Sequence, residues 1–93
     1  MRSRRTGQAV DGFRFWLDSR GVARSTVRNY TGNISRYVRW CNEHELDYLR
    51  AERDDITFYV GEQMGRLQPT TVQLRLIALH IFYDYLVKER GLK

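Results

Sequence analysis

Apolar side chains recur every three or four positions along most of this 93-residue chain. Because an α-helix turns once in 3.6 residues, this spacing puts the apolar side chains on one face of a helix. Seven glycines and one proline leave long stretches without a helix breaker. The length suits one domain with a single modest core. The sequence therefore predicts an all-α fold, a compact bundle of four or five helices.

Two helices are predicted in the N-terminal half. The first covers residues 7–19, with Thr6 as its N-cap and Gly21 just beyond its end. The second starts at Ser25, a favourable N-cap, and continues to about Glu43. The apolar faces of these two helices contain Val10, Phe13, Trp16, Leu17, Val27, Tyr30, Ile34, Tyr37, Val38 and Cys41.

A polar, acidic segment separates these helices from the third one. It covers residues 42–53, and we expect Leu46 and Leu49 to pack beneath it. The third helix is predicted to start near Asp54, since acidic residues favour a helix N-terminus, and to stop at Gly65. Its expected buried residues are Ile56, Tyr59, Val60 and Met64.

The fourth helix is predicted to start after Pro69, with Thr70 as its cap, and to end at Gly91. It has two apolar stripes on nearly opposite sides. One contains Val72, Leu76, Leu79, Tyr83 and Leu86, and the other contains Leu74, Ile77, Ile81 and Tyr85. A helix that is apolar on two sides is either central to its bundle or contacts a partner. We expect a central position, with part of the second stripe open to a neighbour.

Charge is unevenly distributed along the chain, which has a net charge of +5. Residues 1–42 hold nine basic and two acidic side chains, residues 43–65 hold two and seven, and residues 66–93 hold five and two. All but two of the basic residues are arginines, which suit phosphates and guanine edges, although a GC-rich genome produces the same bias. Two basic segments around an acidic one predict a polyanionic partner that binds in one orientation.

The second predicted helix carries an arginine face opposite its apolar face. This face contains Arg28, Gly32, Ser35 and Arg39, with Asn29, Asn33 and Arg36 beside them. No acidic residue precedes Glu43 in this helix, whereas a solvated helix face normally mixes both signs. The small Gly32 suits close approach to a phosphate backbone, and Asn29 is long enough to reach a base edge. A basic face that serves only solubility is the alternative.

Two of the predicted helix starts resemble each other, at residues 21–28 and 65–73. Each contains a glycine, a hydroxyl-bearing cap, a Thr-Val pair and then a long polar side chain. One interpretation is that any capped helix has this pattern. The other is that two helix N-termini present hydroxyl and amide groups to phosphates. Their polar residues include Ser25, Thr26, Thr70, Thr71 and Gln73.

Sequence motifs of catalytic, metal or cofactor sites are absent, so no cofactor, metal or enzymatic activity is expected of this chain. Cys41 is the only cysteine, which excludes an internal disulfide and favours core packing in a reducing compartment. No run of about 18 apolar residues exists, and the basic start at residues 1–5 has no apolar segment after it. Neither a membrane span nor a secretory signal is therefore predicted.

Five short motifs follow one another in a recognisable order over residues 8–90. They are Phe13-x-x-Trp16-Leu17, Gly21-x-x-x-Ser25-Thr26-Val27-x-x-Tyr30, Ile34-x-x-Tyr37-x-x-Trp40, Asp55-Ile56 and Thr71-Val72-x-x-x-Leu76-x-x-Leu79-x-x-Phe82-Tyr83-x-x-Leu86. Together they resemble the core-binding (SAM-like) domain of the tyrosine recombinase or phage integrase family. The resemblance implies a helical bundle that forms half of a clamp around DNA, with its second and fourth helices facing the major groove.

By position, the resemblance implicates a set of DNA-binding residues. These are Thr26, Arg28 and Asn29 in the second helix and Thr70, Thr71 and Arg75 in the fourth, with Arg24, Ser25, Arg36, Arg39 and Gln73 as further candidates. Leu74 stands where some family members carry a polar side chain that reaches a base, and Thr70 stands where a lysine sometimes occurs. Phosphate or shape contacts are therefore expected from the fourth helix rather than base-specific ones.

The resemblance also implies a larger protein, because family members cleave DNA with a C-terminal domain that this chain lacks. We expect a flexible basic arm at residues 1–7, the DNA-binding domain at residues 8–90, and a linker to the catalytic domain starting at residues 91–93. The expected partners are double-stranded DNA, that catalytic domain and other protomers on the DNA. The expected location is the cytoplasm, in association with the nucleoid, for a protein of prokaryotic or phage origin. The alternative is a helical protein–protein interaction module, suggested by the second stripe of the fourth helix and by the acidic segment.

Overall fold

The computed structural model describes the backbone of residues 2–92 and the side chains of residues 7–92. Its helices are α1 (Arg2–Ser19), α2 (Arg24–Glu43), α3 (Arg53–Met64) and α4 (Pro69–Arg90), with a short 3-10 helix at Tyr48–Arg50. There is no strand in the described part of the chain. The Cα radius of gyration is 12.8 Å. The predicted all-α bundle is therefore confirmed.

Helix α2 packs against both α1 and α4, and each of these contacts is more extensive than the contact between α1 and α4. Its apolar face and those of its neighbours form one core. The bulkiest fully buried residues are Phe13, Ile34, Tyr37, Val38, Cys41 and Phe82. These residues come from three helices, so the core forms where α1, α2 and α4 meet.

Two polar links join the other elements to α2. The indole of Trp40 donates a hydrogen bond of 2.7 Å to the Glu62 carboxylate of α3. The Tyr83 hydroxyl of α4 donates to the backbone carbonyl of Tyr48 at 2.6 Å and lies 2.7 Å from the Tyr37 hydroxyl. Since Tyr83 has one proton and gives it to Tyr48, Tyr37 is the donor of the second bond. These bonds satisfy polar groups next to the core.

Helix α1 begins at Arg2, so the predicted start at Gly7 with Thr6 as N-cap is wrong. No glycine or proline lies between Arg2 and Thr6, and arginine is a good helix former, so the helix continues toward the N-terminus. The backbone of residues 2–6 is thus helical where an arm was predicted. Met1 and the side chains of residues 2–6 lie outside the described residues.

The predicted caps of α2 and α4 are also wrong. The N-caps are Ala23 and Gln68, and neither makes a side-chain capping bond. Ser25 lies inside the first turn of α2 as a consequence. Pro69 is the first residue of α4, because its fixed φ angle suits that position. Proline lacks a backbone N–H, but an N–H at the first position of a helix has no acceptor within the helix, so no hydrogen bond is lost. Thr70 is therefore already helical.

Helix α3 starts with a reciprocal capping arrangement. The Glu52 side chain accepts from the backbone of Asp55, and the Asp55 carboxylate accepts from the Glu52 backbone N–H at 2.9 Å. The helix ends at Met64, before Gly65, as the sequence predicts. Tyr59 and Met64 are buried on its inner face, while Ile56 and Val60 are half-buried against the core.

Glycines end α1 and α4 in the predicted way. Gly21 and Gly91 have φ angles of 76° and 72°, a region that side-chain-bearing residues rarely occupy. After Gly91 the Leu92 N–H reaches back to the Leu86 carbonyl at 3.0 Å, which satisfies a carbonyl at the helix end.

The acidic connection after α2 contains the unpredicted 3-10 helix. The Asp47 carboxylate caps it by accepting from the Leu49 N–H at 2.9 Å. Leu46 packs against the core as expected, but Leu49 is 42% exposed, so the prediction that it packs beneath the segment is wrong. The tight 3-10 turn directs Leu49 outward while Tyr48 faces the core.

Helix α4 is central only along its C-terminal half. There its buried residues are Ala78, Leu79, Phe82, Tyr85 and Leu86, which come from both predicted stripes and the positions between them. Leu74, Leu76 and Ile77 in the N-terminal half are exposed. No helix in the described part of the chain is long and apolar enough to span a bilayer.

Candidate nucleic-acid interface

A groove of about 260 Å³ lies between α2 and the N-terminal half of α4. We call it the α2/α4 groove. Its lining residues are Arg28, Asn29, Gly32, Asn33 and Arg36 from α2 and Thr71, Leu74 and Arg75 from α4. Each helix thus supplies one wall, and each wall carries at least one arginine.

Helical spacing explains why α2 supplies so many of these residues. Positions 28, 32 and 36 repeat every four residues, as do positions 29 and 33, so they form two adjacent rows along one edge. Ile34 and Tyr37 point the other way, into the core. Burial of the apolar face against α1 and α4 therefore turns the polar edge of α2 toward the groove.

Hydrogen bonds order three of the groove side chains along α2. The Arg36 guanidinium donates to Asn33 Oδ1 at 3.2 Å. Arginine only donates, so Asn33 accepts with its oxygen and turns its amide nitrogen toward Asn29. That nitrogen donates to Asn29 Oδ1 at 3.1 Å and to the Asn29 carbonyl at 3.0 Å. The Asn29 Oδ1 is thereby occupied, and the amide protons of Asn29 are the groups it offers to a ligand.

Arginines from both walls lie near the Tyr59 phenol of α3. Burial raises the pKa of the Tyr59 phenol, and the nearby positive charges of Arg75 and Arg36 partly offset that rise. Both guanidiniums therefore lie close enough to the same buried phenol to influence it, although they come from different helices. This places positive charge on both sides of the groove.

The described residues that line the α2/α4 groove include no carboxylate. The three arginines are thus not neutralised within the groove, and their fields add between low-dielectric walls. Such a site attracts an anion with several charged groups more than it attracts a neutral ligand.

A second groove, of about 590 Å³, lies between α1 and α2. Its lining residues are Arg14, Asp18, Arg24, Val27, Arg28 and Thr31. It is larger, but Asp18 reduces its positive charge, and Arg14 is paired at 3.2 Å with Asp11. We therefore consider the smaller α2/α4 groove the better candidate for an anion. Arg28 lines both grooves and forms the ridge between them.

The structure brings together five of the residues that the sequence predicts for DNA binding. Arg28, Asn29, Arg36, Thr71 and Arg75 line the α2/α4 groove. Arg24 lines the α1/α2 groove instead. The remaining candidates, which line neither groove, are Ser25, Thr26, Arg39, Thr70 and Gln73. Their roles stay predictions.

Several lining residues were not candidates in the sequence, among them Arg14 and Leu74. Arg14 belongs to the first predicted helix, where its pairing with Asp11 at i, i+3 resembles an ordinary solvated ion pair. Leu74 is apolar and was assigned to the second stripe of α4. The exposure of Leu74 depends on how α4 crosses α2, which the sequence pattern does not contain.

Other chemistry-bearing groups offer no competing site. Cys41 is buried in the core, and burial raises the pKa of its thiol to about 11. Within residues 7–92, no three His, Cys, Asp or Glu side chains cluster in a way that would hold a metal ion. The groove arginines are therefore the most distinctive chemical feature of the described surface.

Comparisons with known proteins agree with this geometry. A family model described as the phage integrase N-terminal, SAM-like domain matches residues 10–90. The chain belongs to this family. The match covers all of the core and both walls of the α2/α4 groove, so the recognition made from the sequence motifs is confirmed.

Two relatives of this phage integrase N-terminal domain are named as recombinases. The tyrosine recombinase XerD of Yersinia pestis is 29% identical over 76 residues, which are 81% of this chain and 25% of the relative. A protein of Caldanaerobacter subterraneus, provisionally named tyrosine recombinase TTE1313, is 22% identical over 81 residues, which are 85% of this chain and 28% of that relative. The chain thus spans about a quarter of the length of these curated relatives. No solved structure matches the chain significantly.

Proposed function

We propose that this domain binds double-stranded DNA as the non-catalytic half of a clamp in a site-specific tyrosine recombinase. The observation that carries the proposal is the α2/α4 groove, in which Arg28, Arg36 and Arg75 from two helices share a cleft whose described lining has no carboxylate. Duplex DNA presents closely spaced phosphates along each strand, and arginine binds phosphate in a planar, bidentate manner. DNA strand cleavage is assigned to a separate catalytic domain of the same protein.

The groove residues suggest a division of roles. The three arginines bind phosphates, and the amide group of Asn29, whose oxygen already accepts from Asn33, donates to a phosphate or to an acceptor on a base edge. Thr71 lies in the first turn of α4, which has no side-chain cap, so backbone N–H groups there are also available to a phosphate. These contacts orient the domain on the duplex.

The proposed partners follow from the same role. Besides DNA, the domain acts with its C-terminal catalytic domain and with other recombinase protomers assembled on the same site. The relatives named as tyrosine recombinases support this, since the present chain corresponds to about a quarter of their length. A cytoplasmic location, on prokaryotic or phage DNA, follows from the proposed substrate.

The salt dependence of DNA binding tests the proposal. In an anisotropy titration with a labelled duplex, we expect a dissociation constant of roughly 10⁻⁴ to 10⁻⁶ M at physiological salt, weakening steeply as salt is added. Arg36→Gln and Arg75→Gln should each lower the slope of log K against log salt by about 1, because each removes one phosphate contact.

Arg53→Gln is the matched control. It removes the same charge at the start of α3, within the acidic segment and away from both grooves. We expect it to leave the slope nearly unchanged. Equal effects of all three substitutions would show that only net charge matters, and the proposed groove would then be rejected.

A protein–protein interaction module is the second candidate, favoured by the exposed Leu76 and Ile77 of α4, each 39% exposed. In that case sedimentation should show self-association, or binding of a protein partner, that changes little with salt. A monomer whose amide resonances shift on α2 and α4 when duplex is added would exclude this candidate.

A further inference from the structure

Leu74 is an apolar side chain in an otherwise polar, positively charged cleft. It is 50% exposed and lines the α2/α4 groove together with Arg28, Arg36, Thr71 and Arg75. A solvated leucine contributes little to the core. Its position among phosphate-binding side chains therefore calls for a ligand that offers an apolar group beside its charges.

The course of α4 explains how Leu74 reaches the groove. Ala78, one turn further along α4, is fully buried in the core. Leu74 continues this apolar edge beyond the buried part of the helix into the open cleft. On the opposite wall, a Cβ added at Gly32 would meet nothing within 4 Å, so the space between the walls is open.

DNA offers few apolar groups at such a place. Phosphates are charged, and base edges present hydrogen-bond donors and acceptors, except for the C5-methyl group of thymine in the major groove. The minor groove presents only acceptors and the guanine amino group. An apolar side chain between phosphate-binding arginines thus matches a methyl-bearing pyrimidine in the major groove.

We propose that Leu74 is a specificity-determining residue that packs against the C5-methyl group of a pyrimidine, which unmodified DNA supplies as thymine. This inference rests on the proposed DNA-binding function. It differs from the sequence-based expectation, in which α4 makes phosphate or shape contacts. Leu74 then biases the domain toward A·T pairs at the base step that it faces.

The test compares two duplexes that differ only in the methyl group. One is an alternating A–T duplex, and the other has deoxyuridine in place of every thymidine. For the unaltered domain we expect about fourfold weaker binding to the uracil duplex, the loss of one buried methyl group. A second pair of duplexes, alternating inosine–5-methylcytosine and alternating inosine–cytosine, also differs only in the C5-methyl group. We expect the same fourfold preference for the methylated member of this pair.

Leu74→Ala should bind the thymine and uracil duplexes equally well and keep its dependence on salt. Leu76→Ala is the matched control, because it makes the same change on an exposed residue of α4 that does not line the groove. This control should retain the fourfold preference. Circular dichroism is expected to show that both variants fold, since both side chains are exposed.

The possible failures are distinguishable. Equal binding of both duplexes by the unaltered domain, or a methyl preference that survives in Leu74→Ala, overturns the role of Leu74 and leaves DNA binding intact. If Leu76→Ala also loses the preference for the thymine duplex, the preference cannot be assigned to Leu74 alone. Absence of binding to any duplex, at any salt concentration, overturns the proposed function itself.

Discussion

Among individual residues, Gly32 shows how stability and binding oppose each other. A glycine inside a helix costs about 0.5–1 kcal/mol relative to alanine. A Cβ at Gly32 would meet nothing within 4 Å, so nothing in the folded domain requires glycine there. Under the proposed function, its position in the α2/α4 groove supplies another reason, since a bare backbone would let DNA approach α2 closely.

Gly32→Ala should therefore stabilise the domain and weaken its binding. We expect the free energy of unfolding to rise by about 0.5–1 kcal/mol in urea denaturation, while the affinity for duplex DNA falls several-fold. Gly61→Ala is the control, since Gly61 lies in α3, is exposed and also has nothing within 4 Å of an added Cβ. Unchanged affinity in Gly32→Ala would mean that DNA does not approach this part of α2.

The packing of the Tyr85 side chain of α4 against α1 depends on a different glycine, Gly12. A Cβ at Gly12 would lie 2.5 Å from the hydroxyl oxygen of Tyr85, which is buried beneath α1. Because Gly12 has no side chain, the Tyr85 hydroxyl can lie directly against the α1 backbone at this point. The Tyr85 ring also packs on Phe13 and Trp16, with centroid distances of 5.6 and 5.3 Å, so it has little freedom to move aside.

Gly12→Ala should thus destabilise the domain, although alanine favours helix. We expect a loss of about 1–2 kcal/mol in the free energy of unfolding, the usual cost of overpacking. In the double variant, Tyr85→Phe removes the hydroxyl that causes the clash, so it should recover most of the lost free energy of unfolding. A stabilising effect of Gly12→Ala alone would show that the Tyr85 ring is not held against Gly12.

The helices themselves were largely predictable, since periodicity is a local property of the chain. The C-terminal ends at Ser19, Met64 and Arg90 agree with the sequence. Gly21 and Gly91 end α1 and α4 with a positive φ angle that glycine adopts easily, whereas Gly65 after α3 keeps right-handed helical angles. The starts were less predictable. Ser25 and Thr70 are good N-caps, yet helices begin earlier when the preceding residues, such as Pro69, adopt helical angles as readily.

For the domain as a whole, the core contains tyrosine phenols and a cysteine thiol that lose their protons less readily than they would in water. Burial raises the pKa of Tyr37, Tyr59 and Tyr83, and it raises the pKa of the Cys41 thiol to about 11. In the unfolded chain a thiol titrates near 8.5 and a phenol near 10. The unfolded state therefore releases these protons at lower pH than the folded state, so alkali favours unfolding.

We expect the free energy of unfolding to be constant below about pH 8.5, the unfolded-state pKa of the Cys41 thiol. Above that pH it should fall, and the fall should continue through the folded-state pKa of Cys41. The initial loss should be about 1.4 kcal/mol per pH unit, the effect of one group. Urea denaturation at pH 7–10 measures it. In Cys41→Ala the fall should start only near pH 10, where the phenols titrate, and an unchanged onset would contradict the role of the thiol.

Local pattern in the chain was enough to establish the all-α class, the apolar faces, the segregation of charge and the arginine edge of α2. These properties depend on residues within a few turns of one another. The presence of Arg36 and Arg75 in one groove, and the exposure of Leu74 beside them, depend on where α2 and α4 cross. That crossing is set by packing between residues far apart in sequence, such as Ile34 and Phe82, and no periodicity in either helix encodes it.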